Sequence, residues 1–236
     1  MRSAGKPIPN ITDRKLYDTF HDNERLQKQE FSVPVLYQMA KKIAKAQQLA
    51  RAEDDTLVIY EGYRPYEVQK AVVDHVTALA ESDPEVKEGI SKEPWSITWF
   101  ILTGVSNHQR GYAIDVSLAS ILKIEEKRVG AYIYHDVTEY ELYEMPSPIH
   151  ELSTRSVSLQ YPVNTRSETA WRDVPPAATM NELALALRTY CTESGLTPIA
   201  SEWWHFNDLD CGSMVDDSGN SGQFKVSENK SRIPSR

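Results

Sequence analysis

From Pro34 onward the apolar positions Val35, Leu36, Met39, Ala40, Ile43 and Ala44 recur at helical spacing, with Pro34 suited to a first helical position. This predicts a core-facing amphipathic helix running to about Ala52. Asp54-Asp55 interrupt the pattern before Leu57-Val58-Ile59-Tyr60, a short β-rich run ended by Gly62. That buried strand delivers the chain to Tyr63-Arg64-Pro65, and a second helix is expected over Tyr66 to Glu81. An acidic stretch follows to Pro94, and Trp95–Leu102 reads as a strand or buried connector. Tyr112–Leu118 alternates, with Ala113, Asp115 and Ser117 on one face and Tyr112, Ile114, Val116 and Leu118 on the other, as a half-buried strand does. A third helix is announced by Thr179 and Glu182 at capping-box spacing and carries Leu183, Leu187 and Tyr190 to a stop at Gly195. Leu196–Ser201 then leads as a strand into Glu202.

These elements predict an α+β fold, a small antiparallel central sheet flanked by helices. Residues 1–10, polar with two prolines, are expected to form a flexible arm, and 11–211 a single catalytic domain. A long, tyrosine-rich, charged insertion occupies 121–171, and 212–236 is a polar tail expected to be mobile.

Composition narrows the function. The 236 residues carry 26 Lys+Arg against 34 Asp+Glu, a net charge of −8, with 40% hydrophobic residues. A chain of this length builds a sufficient core without metal or disulfides, so a metal here would serve chemistry. The negative balance, without a basic run or aromatic-basic interleaving, argues against nucleic acid or an anionic membrane surface as partner. No stretch approaches the roughly 20 apolar residues of a membrane span, and the N-terminus lacks the apolar core of a signal peptide. The chain as given is therefore expected in the cytoplasm, with an exported and trimmed form left open. Two cysteines, Cys191 and Cys211, set no disulfide framework.

Three segments concentrate groups that bind metal or activate water: Ser106-Asn107-His108-Gln109-Arg110-Gly111-Tyr112-Ala113-Ile114-Asp115, Ser201-Glu202-Trp203-Trp204-His205, and Gly62-Tyr63-Arg64-Pro65. His108 precedes a turn closed by Gly111 and Asp115 lies on the following strand, so a loop ligand and a strand ligand can converge. His205, behind two tryptophans that hold the backbone rigid and dry, supplies a third. Two imidazoles and one carboxylate leave the fourth position of a tetrahedral Zn²⁺ ion for water, the arrangement of a catalytic site. Glu202, three residues before His205, is placed to take the proton of that water and pass it to a leaving amine. His21, His75 and His135 have no motif partner and are read as surface or hydrogen-bonded core residues. Trp203 and Trp204 are read as packing, and Cys191 as a buried helix residue.

The pattern S-x-H-x-x-G-x-A-x-D followed by E-W-W-H, with G-Y-R-P upstream, resembles the VanX-type D-alanyl-D-alanine dipeptidases, zinc peptidases of the hedgehog-like fold. The resemblance covers roughly residues 34–208. It implies one zinc ion per chain on His108, Asp115 and His205, Glu202 as catalytic base, and Arg64 on the polarised carbonyl oxygen. It also implies Ser106, Tyr63 and His150 as substrate contacts. The substrate so implied is a D-Ala-D-Ala dipeptide or, on the alternative reading, a peptidoglycan stem peptide trimmed by a D,D-carboxypeptidase. A non-catalytic zinc-containing binding module is the rival of another class, and the retained Glu202 speaks against it. One departure stands out. Where the strict dipeptidases of the family carry an aspartate for the substrate's ammonium, this chain has His150, and the neighbouring Glu151 on an extended segment would point the other way.

Overall fold

The computed structural model describes residues 1–11, 20–23, 28–31, 33–130 and 132–215. Arg2–Ser3 (β1) and Lys6–Pro7 (β2) pair as a short hairpin, and Phe20–Asn23 (β3) pairs with Lys28–Phe31 (β4). Helix α1 spans Tyr37–Arg51, strand β5 Asp55–Glu61, and helix α2 Tyr66–Ser82. Helix α3 follows at Pro84–Ser91 and α4 at Ile97–Phe100. Strands β6 (Ala113–Val129) and β7 (Tyr132–Leu142) form a long hairpin. Helix α5 covers Glu182–Glu193, β8 Thr197–Pro198, β9 His205–Asn207, and α6 Leu209–Gly212. β5, β6, β9 and β8 lie side by side in one antiparallel sheet, with β7 also on β6. The expected α+β architecture is present.

The sheet divides the interior. Ile114, Val116 and Leu118, the predicted apolar face of β6, pack with Phe206, Leu187 and Met39 on one side. Each such side chain is worth about 1.5–3 kcal/mol when fully removed from water. Val72, Val76, Phe100, Leu152, Leu159 and Ile8 build a second cluster. Asp115 emerges on the opposite face of β6 from the first cluster, as alternation requires.

Several expectations are corrected. The first ten residues are no arm: Met1, Ser3, Ala4 and Ile8 are buried, the Leu152 carbonyl accepts the Ser3 hydroxyl, the Leu152 amide donates to the Arg2 carbonyl, and the Arg2 amide donates to the His150 carbonyl. Their few apolar side chains suffice because they enter the second cluster. The acidic stretch holds α3, started by Asp83, whose side chain accepts from the amides of Glu85 and Val86, with Pro84 in the first turn. Of the two readings of Trp95–Leu102 the strand is wrong: the segment is a connector that contains α4 and buries Trp95, Phe100 and Ile101. The strand beginning at Ala113 does not stop at Leu118 but runs on to Val129 and pairs with β7, so the 121–171 insertion starts as a β-ribbon that ends at Leu142. Helix α5 is capped by Asn181, whose Oδ1 accepts the Ala184 amide, whereas the Thr179 hydroxyl donates to the Val157 carbonyl. Only Thr197–Pro198 of Leu196–Ser201 is strand. Cys191 and Cys211 are buried free thiols. Residues 216–236, most of the expected tail, and the side chain of His21 lie outside the described residues. Among the described residues no helix is long and apolar enough to cross a membrane.

Candidate metal centre

His108 is delivered by the turn that Gly111 closes. Gly111 has φ +80°, its amide donates to the His108 carbonyl, and a Cβ there would meet Leu36 at 3.3 Å, so the position suits glycine. Gly62 lies even closer to its neighbours, since a Cβ would stand 2.6 Å from the Pro34 carbonyl oxygen. Its own carbonyl accepts a hydrogen bond from His108 Nδ1 at 2.7 Å. That bond fixes the proton on Nδ1 and turns the Nε2 lone pair inward. On β9, His205 lies opposite Asp115 of β6, and its Nε2 donates to Asn207 Oδ1 at 3.0 Å, which turns its Nδ1 inward.

Three acceptors therefore converge. His108 Nε2 and His205 Nδ1 are 3.1 Å apart, and Asp115 Oδ1 is 3.2 Å from the first and 3.1 Å from the second. All three residues are buried. Three electron pairs in a near-equilateral triangle, each with its other hydrogen-bonding partner already assigned, fit a cation. A tetrahedral zinc ion with bonds of about 2.0–2.1 Å holds its ligands about 3.3–3.4 Å apart, so the triangle needs only a slight opening. Burial lowers the proton affinity of His108. For His205 burial acts in the same direction, but the hydrogen bond and charge of Asp115 outweigh it and the net shift is upward. Asp115 is itself held well below the usual carboxylate range: burial opposes this, and the charge and hydrogen bond of His108, with His150 and His205, prevail.

The second oxygen of Asp115 faces a different set. Its Oδ2 accepts from Arg64 Nη2 and from His150 Nε2, both at 3.1 Å. Arg64 further bonds Glu61 Oε2 through Nε at 2.9 Å and through Nη2, and Gln69 Oε1 through Nη1 at 2.8 Å. A register shift between Ile59 and Glu61, a bulge in β5, aligns Glu61 with Asp115. Glu61, Asp115 and His150 are close enough to hold a metal, but the guanidinium already occupies that side as its cation.

The triangle opens into a cleft of about 300 Å³ whose lining includes Trp99, Phe100 and Ile101 as well as Ser106, His150 and Glu202. Glu202 Oε2 lies 3.6 Å from His205 Nδ1, beside the triangle rather than in it. Its loop is pinned by Ser156 Oγ donating to the Ser201 carbonyl, Ser201 Oγ to the Trp99 carbonyl and Trp203 Nε1 to Ser147 Oγ. The tryptophans pack as expected, at 2% and 1% exposure. Burial pushes the Glu202 carboxyl up to about 8; the charges of His205 and Arg64 counter it and that of Asp115 adds to it.

The structure thus brings together His108, Asp115, His205, Glu202, Arg64, Ser106 and His150 around one cleft. Tyr63 is buried but does not line it. His150, in the left-handed region at φ +60°, reaches the cleft with its Nε2–H spent on Asp115. Glu151 is tied to the Gly5 amide and the Ser153 hydroxyl. Sequence reasoning missed Glu61, Gln69 and Asn207. The first two flank Arg64 within five residues, and Asn207 follows His205 at the two-residue spacing of one strand face.

Two imidazoles and one carboxylate, open to a cleft and accompanied by a further carboxyl group, are the donor types found in metal-dependent hydrolases. The chain belongs to the D-ala-D-ala dipeptidase family of peptidases, whose family model matches residues 18–220. It is 27% identical over 164 residues to the D-alanyl-D-alanine dipeptidase of Escherichia coli (strain K12). That match covers 70% of this chain and 61% of the relative, so the chain spans about three fifths of the length of the curated relative. Among solved structures it is similar to a mutant of the vancomycin-resistance D,D-pentapeptidase VanY from the VanB-type cassette in complex with Zn(II). There the identity is 15%, the TM-score 0.35, and the coverage 86% of this chain and 83% of that one. It is also similar to VanYB in complex with D-alanine-D-alanine, with 14% identity, TM-score 0.36, and coverage of 92% and 90%.

Proposed function

We propose that this protein is a zinc-dependent D,D-peptidase that hydrolyses the bond between two D-alanines. The observation that carries the reading is the buried triangle of His108 Nε2, Asp115 Oδ1 and His205 Nδ1, open to a cleft with Glu202 beside it. Zinc bound there supplies Lewis acidity and lowers the pKa of water toward about 7. Glu202 takes a proton from the water whose oxygen bonds to the carbonyl carbon and delivers it to the amine nitrogen as the C–N bond breaks, so one water is consumed and a carboxylate and an amine are released. A carboxyl with raised proton affinity suits a group that must both accept and return a proton. Arg64, held rigid by Glu61 and Gln69, supplies fixed positive charge where the carbonyl oxygen becomes an oxyanion. Ser106 Oγ accepts the Gln109 amide, which leaves its hydroxyl hydrogen for a substrate oxygen.

A second reading, removal of the terminal D-Ala from longer stem peptides, is favoured by one observation. Among the described residues the carboxylates lining the cleft are Asp115 and Glu202, and Glu151 is engaged elsewhere, so His150 brings no anion to receive a free ammonium. The test is a panel of D-Ala-D-Ala, its N-acetyl derivative and a longer peptide ending in D-Ala-D-Ala, assayed with zinc-loaded protein. N-acetylation is expected to lower kcat/KM less than about a hundredfold, because no buried carboxylate loses a charge-assisted hydrogen bond worth roughly 1.5–3 kcal/mol. Complete refusal of the acetylated substrate would leave the strict dipeptidase. Release of D-Ala from none of the three would overturn both readings.

A further inference from the structure

A histidine on a strand can offer either ring nitrogen, and the one it offers is set by what holds the other. For His205 that partner is Asn207, two residues on along β9, with Oδ1 3.0 Å from Nε2. An asparagine amide can be turned either way, and only one way is useful here. With Oδ1 toward the ring, Nε2 keeps the proton and Nδ1 presents its lone pair to His108 Nε2 and Asp115 Oδ1. With Nδ2 toward the ring, the proton moves to Nδ1 and is aimed into the triangle. The choice is made elsewhere. The Tyr112 hydroxyl donates to Asn107 Oδ1 at 2.8 Å, leaving Asn107 Nδ2 as a donor, and Nδ2 donates to the same Asn207 Oδ1 at 3.0 Å. A flipped Asn207 would set amide against amide. Asn207 has no exposed surface, and its own Nδ2 has no partner. It gives up a hydrogen bond in this orientation, which is what a side chain held for its oxygen does.

We infer that Asn207, oriented by Asn107, is a positioning residue that selects the Nε2–H form of His205 and thereby readies Nδ1 as a ligand. The inference rests on the metal reading above. Its test separates the two through a readout that needs no metal, the tautomer of His205 by long-range ¹H–¹⁵N NMR of the zinc-free protein. Zinc affinity by chelator competition is the second readout. In wild type His205 is expected as Nε2–H. Asn207→Leu is expected to lose that preference and to bind zinc about 10–100-fold more weakly. Asn207→Asp, which keeps an acceptor for both donors, is expected to restore the tautomer and most of the affinity. Asn107→Leu, which leaves Asn207 in place, is expected to give a mixture of tautomers and covers the case in which Asn207→Leu does not fold. An unchanged tautomer and unchanged zinc affinity in folded Asn207→Leu, or in Asn107→Leu if Asn207→Leu fails to fold, would overturn the inference. Wild type that shows the tautomer but binds no zinc would overturn the metal reading instead.

Discussion

The two oxygens of Asp115 face environments that differ in one respect. Oδ1 looks at two imidazole nitrogens whose protons are turned away toward Gly62 and Asn207, while Oδ2 looks at Arg64 and His150, which both donate to it. One side brings acceptors together without a cation of the chain's own; the other contains its cation as a covalent part of the chain. A cluster of acidic and imidazole groups is therefore a metal site only when no guanidinium has taken the place. The same comparison shows what keeps a fully buried carboxylate ionised: Arg64 and His150 both donate to its Oδ2.

Removing what the two sides share should have the largest effect. Asp115→Ala is expected to abolish tight zinc binding and to lower kcat/KM by on the order of 10³ or more, since a catalytic metal supplies several kcal/mol of transition-state stabilisation. Steady-state kinetics with added zinc check it, and near-normal kcat/KM would break the comparison. Glu202→Ala, which touches neither side, should keep zinc and lose on the order of 10²–10⁴ in kcat. Loss of zinc in that variant would make Glu202 a ligand. Arg64→Met leaves Glu61 and Asp115 as buried carboxylates without their cation and should cost about 3–5 kcal/mol in urea unfolding. A cost under about 1 kcal/mol would mean that the Oδ2 side is not held by charge. The smallest effect belongs to a pair outside the comparison. Lys127 and Asp136 meet across the hairpin at 2.5 Å, but the lysine side chain is 40% exposed, so Lys127→Ala should leave the midpoint of the same unfolding curve nearly unchanged.

The Oδ1 side was legible in the sequence and the Oδ2 side largely was not. His108, Asp115, Glu202 and His205 sit in segments whose spacing reflects a local turn and a strand, and local geometry is what spacing encodes. Glu61 reaches Asp115 through a bulge in the β5–β6 pairing, a long-range feature that no local pattern announces. His150 was read as a substrate contact because its segment was compared with a substrate loop; its bond to Asp115 depends on a left-handed backbone turn. Among the elements, α1, α2 and the start of β6 followed from periodicity. The N-terminal residues did not, because a few apolar side chains among polar ones pack only where the rest of the fold provides a place. Asp83-Pro84, by contrast, was a readable helix start that the acidic composition around it obscured.

Whether one face of Asp115 binds a metal while the other does not can be read from metal analysis of zinc-reconstituted, dialysed protein. One zinc per chain is expected in wild type and in Glu202→Ala, and none in the His108→Ala/His205→Ala double variant. Two zinc ions per chain in wild type, or full occupancy in the double variant, would contradict it.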